Sequence, residues 1–145
     1  CYCFEGTFSY TYTASYTTDK YPPIEHPNSH SLFCFDVKGD LKWRWTAGGT
    51  PSELALSPDG RYLAVSVAHD VMSKDGRVHG IYCLDLSRPG GISSKISWFY
   101  HTEGICVCCA ISSEGRYIVS VESPIDMDPS KAVQIVGEHR LHILE

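Results

Sequence analysis

Apolar and polar positions alternate with a period of two along most of this chain. In the clearest case Phe8, Tyr10, Tyr12, Ala14 and Tyr16 share one face while Thr7, Ser9, Thr11, Thr13 and Ser15 share the other, the pattern of a strand with one side toward a core. Similar apolar runs predict strands at Leu32 to Asp36, Leu41 to Thr46, Ser52 to Ser57, Arg61 to Val67, Ile81 to Leu86, Ser94 to Tyr100, Ile105 to Ser112, Arg116 to Glu122 and Leu141 to Leu144. Glycine-containing turns fall between them at Lys38 to Asp40, Pro58 to Gly60 and Ser113 to Gly115. No stretch carries a helical period, so the expected fold class is all-β. Within "LKWRW", alternation sends Trp43 and Trp45 inward and leaves Lys42 and Arg44 facing water.

Two of these passages are nearly the same text. "LALSPDGRYLAVSV" (Leu54 to Val67) returns as "CAISSEGRYIVSVE" (Cys109 to Glu122), at a constant offset of 55 residues. Such an echo marks a supersecondary unit stacked on copies of itself, here a unit of four strands. "ELALSPDGRYLAVSV" followed by a short apolar strand ending in an acid resembles the blade of WD-repeat and related β-propellers, and "HTEGICVCCAISSEGRYIVS" carries the same look, with His101 near the family's Gly-His position. "LFCFDVKGDLKWRW" resembles the quinoprotein (PQQ)-like propeller repeat. The family's third-strand Trp-Asp pair is replaced by Phe35-Asp36, Leu84-Asp85 and Leu144-Glu145.

The resemblance implies a partial β-propeller of about two to three four-stranded antiparallel blades. Residues 1–46 would form an incomplete first blade, 47–100 the second, and 101–145 a third lacking its outer strand. Propellers close with four to eight blades. The expectation is therefore a fragment of a longer chain, the remaining blades coming from that chain or from other copies. Cys1 in place of methionine, with no leader pattern after it, fits a mid-chain start better than a lipoprotein.

At 43% hydrophobic residues and a formal charge of −5, the composition is that of a soluble globular protein, and the acidic balance argues against a nucleic-acid partner. The longest apolar run, seven residues from Ile105 to Ile111, falls far short of the ~20 that a membrane helix needs. Seven cysteines in mostly apolar surroundings suggest thiols in a reducing compartment, hence the cytoplasm. Cys34 and Cys83 occupy equivalent places, read as an apolar packing slot, and Cys106 and Cys108 are expected to share one strand face.

Aligned on their terminal acids Asp36, Asp85 and Glu145, the third strands place His30, His79 and His139 at equivalent entrances. A shared metal is disfavoured, because these entrances lie roughly 10 Å apart while zinc needs each nitrogen at ~2.0–2.1 Å. Each histidine is expected instead to cap its own loop, on backbone or on a serine such as Ser66 or Ser120. The long connections 17–30, 68–80 and 123–138 mix acids with apolar anchors, as protein-recognition surfaces do. Tentative contacts on this loop face are His69, Asp70, Met72, Asp126, Met127 and Asp128.

The functional expectation is a non-catalytic interaction platform for a protein partner, with no cofactor, catalytic residue or bound metal. The alternative is a propeller enzyme with its site in the central channel, either a metal-dependent hydrolase or a PQQ-like oxidoreductase. PQQ or calcium belongs only to that alternative, for which the adjacent Cys108 and Cys109 resemble the vicinal cysteines of quinone-dependent alcohol dehydrogenases. Catalytic motifs such as a Gly-x-Ser-x-Gly elbow or a His-Glu-x-x-His helix do not occur.

Overall fold

The computed structural model describes residues 2–5, 27–28, 30–68, 79–126, 134–135 and 137–145. The strand expected near residues 8–16 lies outside them. The described chain is all-β apart from one helical turn, and every pairing is antiparallel. Strands β1 (Tyr2–Glu5), β2 (Ser31–Phe35) and β3 (Leu41–Thr46) make a first sheet in that order. A second sheet runs β4 (Thr50–Leu56), β5 (Tyr62–Ala68), β6 (His79–Asp85) and β7 (Ile96–Thr102). The third contains β8 (Ile105–Ile111), β9 (Ile118–Ser123) and β12 (Arg140–Leu144), with β9 in the middle.

Two local departures from the expected pattern have visible causes. Residues Ser94 and Lys95, expected at the start of a strand, belong to a single helical turn α1 (Ile92–Lys95), where the Ser94 hydroxyl donates to Gly91 O at 2.8 Å. The Lys95 ammonium donates to the carbonyls of Leu86 at 2.9 Å and Arg88 at 2.5 Å, tying the turn to the preceding loop. The connection after β9, expected to be irregular, contains a two-stranded hairpin of β10 (Ile125–Asp126) and β11 (Gln134–Ile135).

The second sheet is buried on both faces. Along β5, Leu63, Val65 and Val67 join Leu32, Trp45 and Ala47 of the first-sheet side, together with Tyr82 and Leu84 of β6. The alternate residues Ala64, Ile81 and Cys83 meet Cys106 and Ile118 of the third sheet. All seven residues of β6 are therefore buried, and its apolar run is nearly continuous because neither face sees water. An edge-on contact of Trp45 on Tyr82 at 4.8 Å, continued by Phe99 at 4.4 Å, closes the first interface. The expected split of the two tryptophans holds: Trp45 is buried, Trp43 half-buried, and Lys42 and Arg44 exposed. Both cations nevertheless have partners, Lys42 on Asp36 at 2.9 Å and Arg44 on the Ser31 hydroxyl at 3.1 Å.

The echo in the sequence is an echo in hydrogen bonds. Ser57 N donates to Tyr62 O at 2.9 Å and its hydroxyl accepts from Tyr62 N at 2.9 Å; Ser112 and Tyr117 repeat the pair at 2.9 and 3.0 Å. In both copies the arginine of Gly-Arg-Tyr lies over the ring of the next tyrosine, at 4.8 Å for Arg61 and 5.1 Å for Arg116. The same arginines reach the terminal acids of the neighbouring strands: Arg61 holds Asp85 at 3.3–3.4 Å, and Arg116 holds Glu145 through its Nε at 2.7 Å. The first of the paired strands in each copy also bulges at the same place, with Ser52 and Val107 left out of the ladder.

The two turns differ in what surrounds them. Gly60 and Gly115 both have positive φ, +71° and +67°, but a Cβ on Gly60 would meet nothing, while one on Gly115 would meet the Tyr62 ring at 2.0 Å. We expect Gly60→Ala to cost about 1 kcal/mol for backbone strain alone and Gly115→Ala about 2–3 kcal/mol, because it must also push the turn away from the second sheet. Urea unfolding of both variants measures the difference; equal losses would mean that the turn does not rest on Tyr62 in solution.

Candidate functional site

The starts of β4 and β8 lie together, since the Ser52 hydroxyl donates to Cys106 O across the sheets at 2.8 Å. The ends of β5 and β9, which pair with those starts, therefore fall at one end of the stack. The connections between second and third strands leave from there. Close packing of the chain at their bases requires glycine at Gly104, where a Cβ would meet Ser123 O at 2.1 Å.

A buried polar network occupies this end of the third sheet. Glu122 is 1% exposed. One of its carboxylate oxygens accepts from Gly104 N at 2.5 Å and the other pairs with His142 Nε2 at 2.7 Å. The Gly104 carbonyl accepts from the Thr102 hydroxyl at 2.9 Å, and the Cys106 thiol approaches that hydroxyl at 3.5 Å. On the second sheet, Tyr100 meets the His142 ring edge-on at 5.3 Å. Burial pushes the Glu122 carboxyl up, but the Gly104 amide, His142 and Arg140 together outweigh it and hold it below the usual range. The network thus fixes the β7–β8 connection and the start of β12 to the end of β9.

Neither Glu122 nor His142 stood out in the sequence as a site residue, although a signal was present. In the repeat, Glu122 takes the place of Val67, a core residue of the second sheet. An acid in an apolar slot demands a partner.

The three aligned histidines do not share one environment. His30 and His79 are buried, His30 with a positive φ of +56° and its carbonyl accepting from Ala47 N at 2.7 Å, whereas His139 is exposed. The two serines expected as histidine partners bond elsewhere, Ser66 with the Ser52 hydroxyl at 3.0 Å and Ser120 to Cys108 O at 2.7 Å. Among the described residues no group of three or more His, Cys, Asp or Glu side chains could hold a metal ion. Of the terminal acids, Asp36 accepts from Lys38 N at 2.9 Å and Asp40 N at 3.0 Å, closing its turn. Asp85 is held down to about 2, chiefly by the Ser87 hydroxyl at 2.5 Å, with Arg61 adding to it against the cost of burial. Of the tentative loop contacts, His69, Asp70, Met72, Met127 and Asp128 lie outside the described residues, and Asp126 is placed by its backbone in β10.

The cysteines depart from expectation in two ways. The bulge at Val107 breaks the alternation, so Cys106 is buried against the second sheet while Cys108 is exposed; the two do not share a face. Adjacent Cys108 and Cys109 face opposite ways, Cys109 packing inward with Ala64 O at 3.8 Å from its sulfur. Burial pushes the Cys83 and Cys109 thiols up to about 11 and the Cys106 thiol upward as well, so these three stay protonated and weakly nucleophilic at neutral pH. Cys34 is disulfide-bonded, and Cys3 stands opposite it in the β1–β2 ladder. Cys34 is fully buried in the core, as an apolar packing slot requires; the bond adds to that role and removes the support that the cysteines lent to a cytoplasmic location. No helix among the described residues is long and apolar enough to cross a membrane.

No protein-family model and no curated protein matches the sequence. A solved structure, Kuenenia stuttgartiensis hydrazine synthase, matches with 17% identity and a TM-score of 0.48, covering 65% of this chain. The match spans 23% of the hydrazine synthase chain, and at that likeness it assigns neither fold nor activity here.

Two measurements follow from this geometry. A carboxyl held below its unfolded value of 4.5 stabilises the fold fully above that value and loses its effect as pH falls through the folded one. Stability should therefore drop on acidification below that range, and Glu122→Gln should flatten this part of the profile; His142→Ala should cost about 2–3 kcal/mol at neutral pH by leaving a buried carboxylate short of a partner. An unchanged acid limb in Glu122→Gln would show that the pair contributes nothing. Alkylation of the unfolded, unreduced protein should label Cys83, Cys106, Cys108 and Cys109 but not Cys34, which peptide mapping reads directly.

Proposed function

We propose that the chain is part of a β-propeller of WD-like and quinoprotein-like repeats and serves as a non-catalytic interaction platform for a protein partner. The binding face is the end of the stack from which the second-to-third-strand connections leave. The observation that carries this reading is the anchoring of their bases: β5 and β6 are buried on both faces, and Glu122, His142 and Gly104 lock the corresponding end of the third sheet. A rigid base lowers the ordering cost that a loop pays on binding. Buried groups committed to one another in this way hold positions instead of offering reactive atoms, which favours recognition over chemistry.

The test replaces 69–78 and 127–133, separately and together, with short turns and measures recovery of cross-linked partner proteins by quantitative mass spectrometry. Partner recovery should fall at least tenfold in the double replacement while the circular dichroism of the sheets is kept. Undiminished recovery in a folded double replacement would overturn the platform reading.

A further inference from the structure

One carboxylate ties three segments together at the loop-bearing end of the stack. Glu122, near the end of β9, accepts from Gly104 N in the β7–β8 connection and pairs with His142 of β12. The corner from Thr102 to Gly104 is the covalent link between the second and third sheets, so this carboxylate decides how firmly the link is seated. Its other fastenings are a neutral bond from the Thr102 hydroxyl to Gly104 O and the Glu103–Arg140 pair at 2.8 Å. The two side chains of that pair are 56% and 42% exposed, and exposed pairs hold weakly. Other groups surround Glu122. Arg140 lies on the same side of β12 as His142, the Cys106 thiol of β8 is buried nearby, and Tyr100 of β7 meets the His142 ring. His79 of β6 is buried on the side of the second sheet that carries Ile81 and Cys83 toward the third. Glu53 of β4 is exposed and lies toward Cys109.

At the opposite end of the stack the second sheet's acid is held differently. Asp85 accepts from Ser87 N at 3.1 Å and from the Ser87 hydroxyl, and it pairs with Arg61; hydrogen bonding leads there, and burial opposes it from second place. At Glu122 burial is the largest influence and pushes the carboxyl up, against the Gly104 amide, His142 and Arg140. We propose that Glu122 is an acid-operated clasp: protonation of its carboxyl frees the Thr102 to Gly104 corner from β9 and β12 and loosens the loop-bearing end, while the end closed by Asp85 and Arg61 stays shut. The proton comes from solvent. It replaces a charge-assisted bond on each carboxylate oxygen with the weaker bonds of a neutral acid. Because the folded value lies below the unfolded 4.5, the clasp is closed above 4.5 and is lost as pH falls through the folded value. The ladder between β12 and β9 persists, so the opening is confined to the corner and does not depend on what lies beside β12. It is a property of the scaffold and stands apart from the platform reading.

Amide hydrogen exchange, read residue by residue by NMR and corrected for the intrinsic rate at each pH, tests the clasp without any partner. Between about pH 6 and about pH 3 the protection factor of the Gly104 amide should fall at least tenfold. Over the same range the amides of Leu86 and Ser87, which donate to Arg61 O and to Asp85 at the other end, should change less than twofold. In Glu122→Gln the Gly104 amide should start less protected and show no such transition, whereas Asp85→Asn should leave the transition where it was. Equal loss at both ends of the wild-type protein would mean that acid unfolds the stack as a whole, and would overturn the inference. A Gly104 transition that survives in Glu122→Gln overturns it too, by assigning the step to another group such as His79. Should Glu122→Gln fail to fold, the carboxyl carbon shift of Glu122 in the wild type takes its place: that titration and the loss of Gly104 protection must share one midpoint, and separate midpoints sink the clasp.

Discussion

Burial of the second sheet from both sides is the constraint from which the other features descend. A strand that sees water on one face can alternate apolar and polar residues, but β6 cannot, and its seven residues are buried without exception. With both faces occupied, the sheet sets the spacing and direction of its neighbours: aromatic bulk from Trp45, Tyr82 and Phe99 fills one gap, and small residues such as Ala64 and Cys83 allow close approach on the other. That close approach lets Ser52 bond to the backbone of β8 and seats the Gly115 turn on Tyr62.

Polar interactions then refine an arrangement that apolar packing has already made. The arginine of each Gly-Arg-Tyr turn spans from the second strand to the acid closing the third, 24 residues on in one copy and 29 in the other, so strand ends meet although the intervening connection differs in length. The Arg61–Asp85 contact is the better shielded, the acid side chain being 10% exposed against 60% for Glu145. Exposed pairs of the second kind contribute little, roughly 0–1 kcal/mol. Its value lies more in alignment than in strength.

Much of this was legible because strand alternation and turn chemistry are local. Ser57 to Tyr62 and Ser112 to Tyr117 announce their turns in a few residues, and the repeat then carries one assignment onto the other copy. What could not be read was whatever depends on a neighbouring sheet or on a break in the alternation. The bulge at Val107 reversed the expected facing of Cys108, and no residue type at that position signals it. The disulfide of Cys34 left no local sign in the sequence, because a cysteine in an apolar strand reads the same whether or not it is bonded. His139 shared a sequence position with His30 and His79 but not their burial: it precedes β12, which among the described residues pairs on one side only, whereas β2 and β6 are flanked on both. Glu122 and His142 were hidden for a different reason: two residues 20 apart become a pair only when β12 folds back on β9.

That pair also distinguishes otherwise similar layers. Were the third sheet to slip into the slot of the second, its glutamate would stand against Leu32 and Trp45, where Val67 now packs, and a carboxylate stranded in hydrocarbon would raise the energy of the shuffled arrangement by several kcal/mol. Duplicated units invite such confusion, since matching surfaces can engage out of turn. A single ionised side chain, harmless in its own place, acts as a label that penalises every other order of assembly.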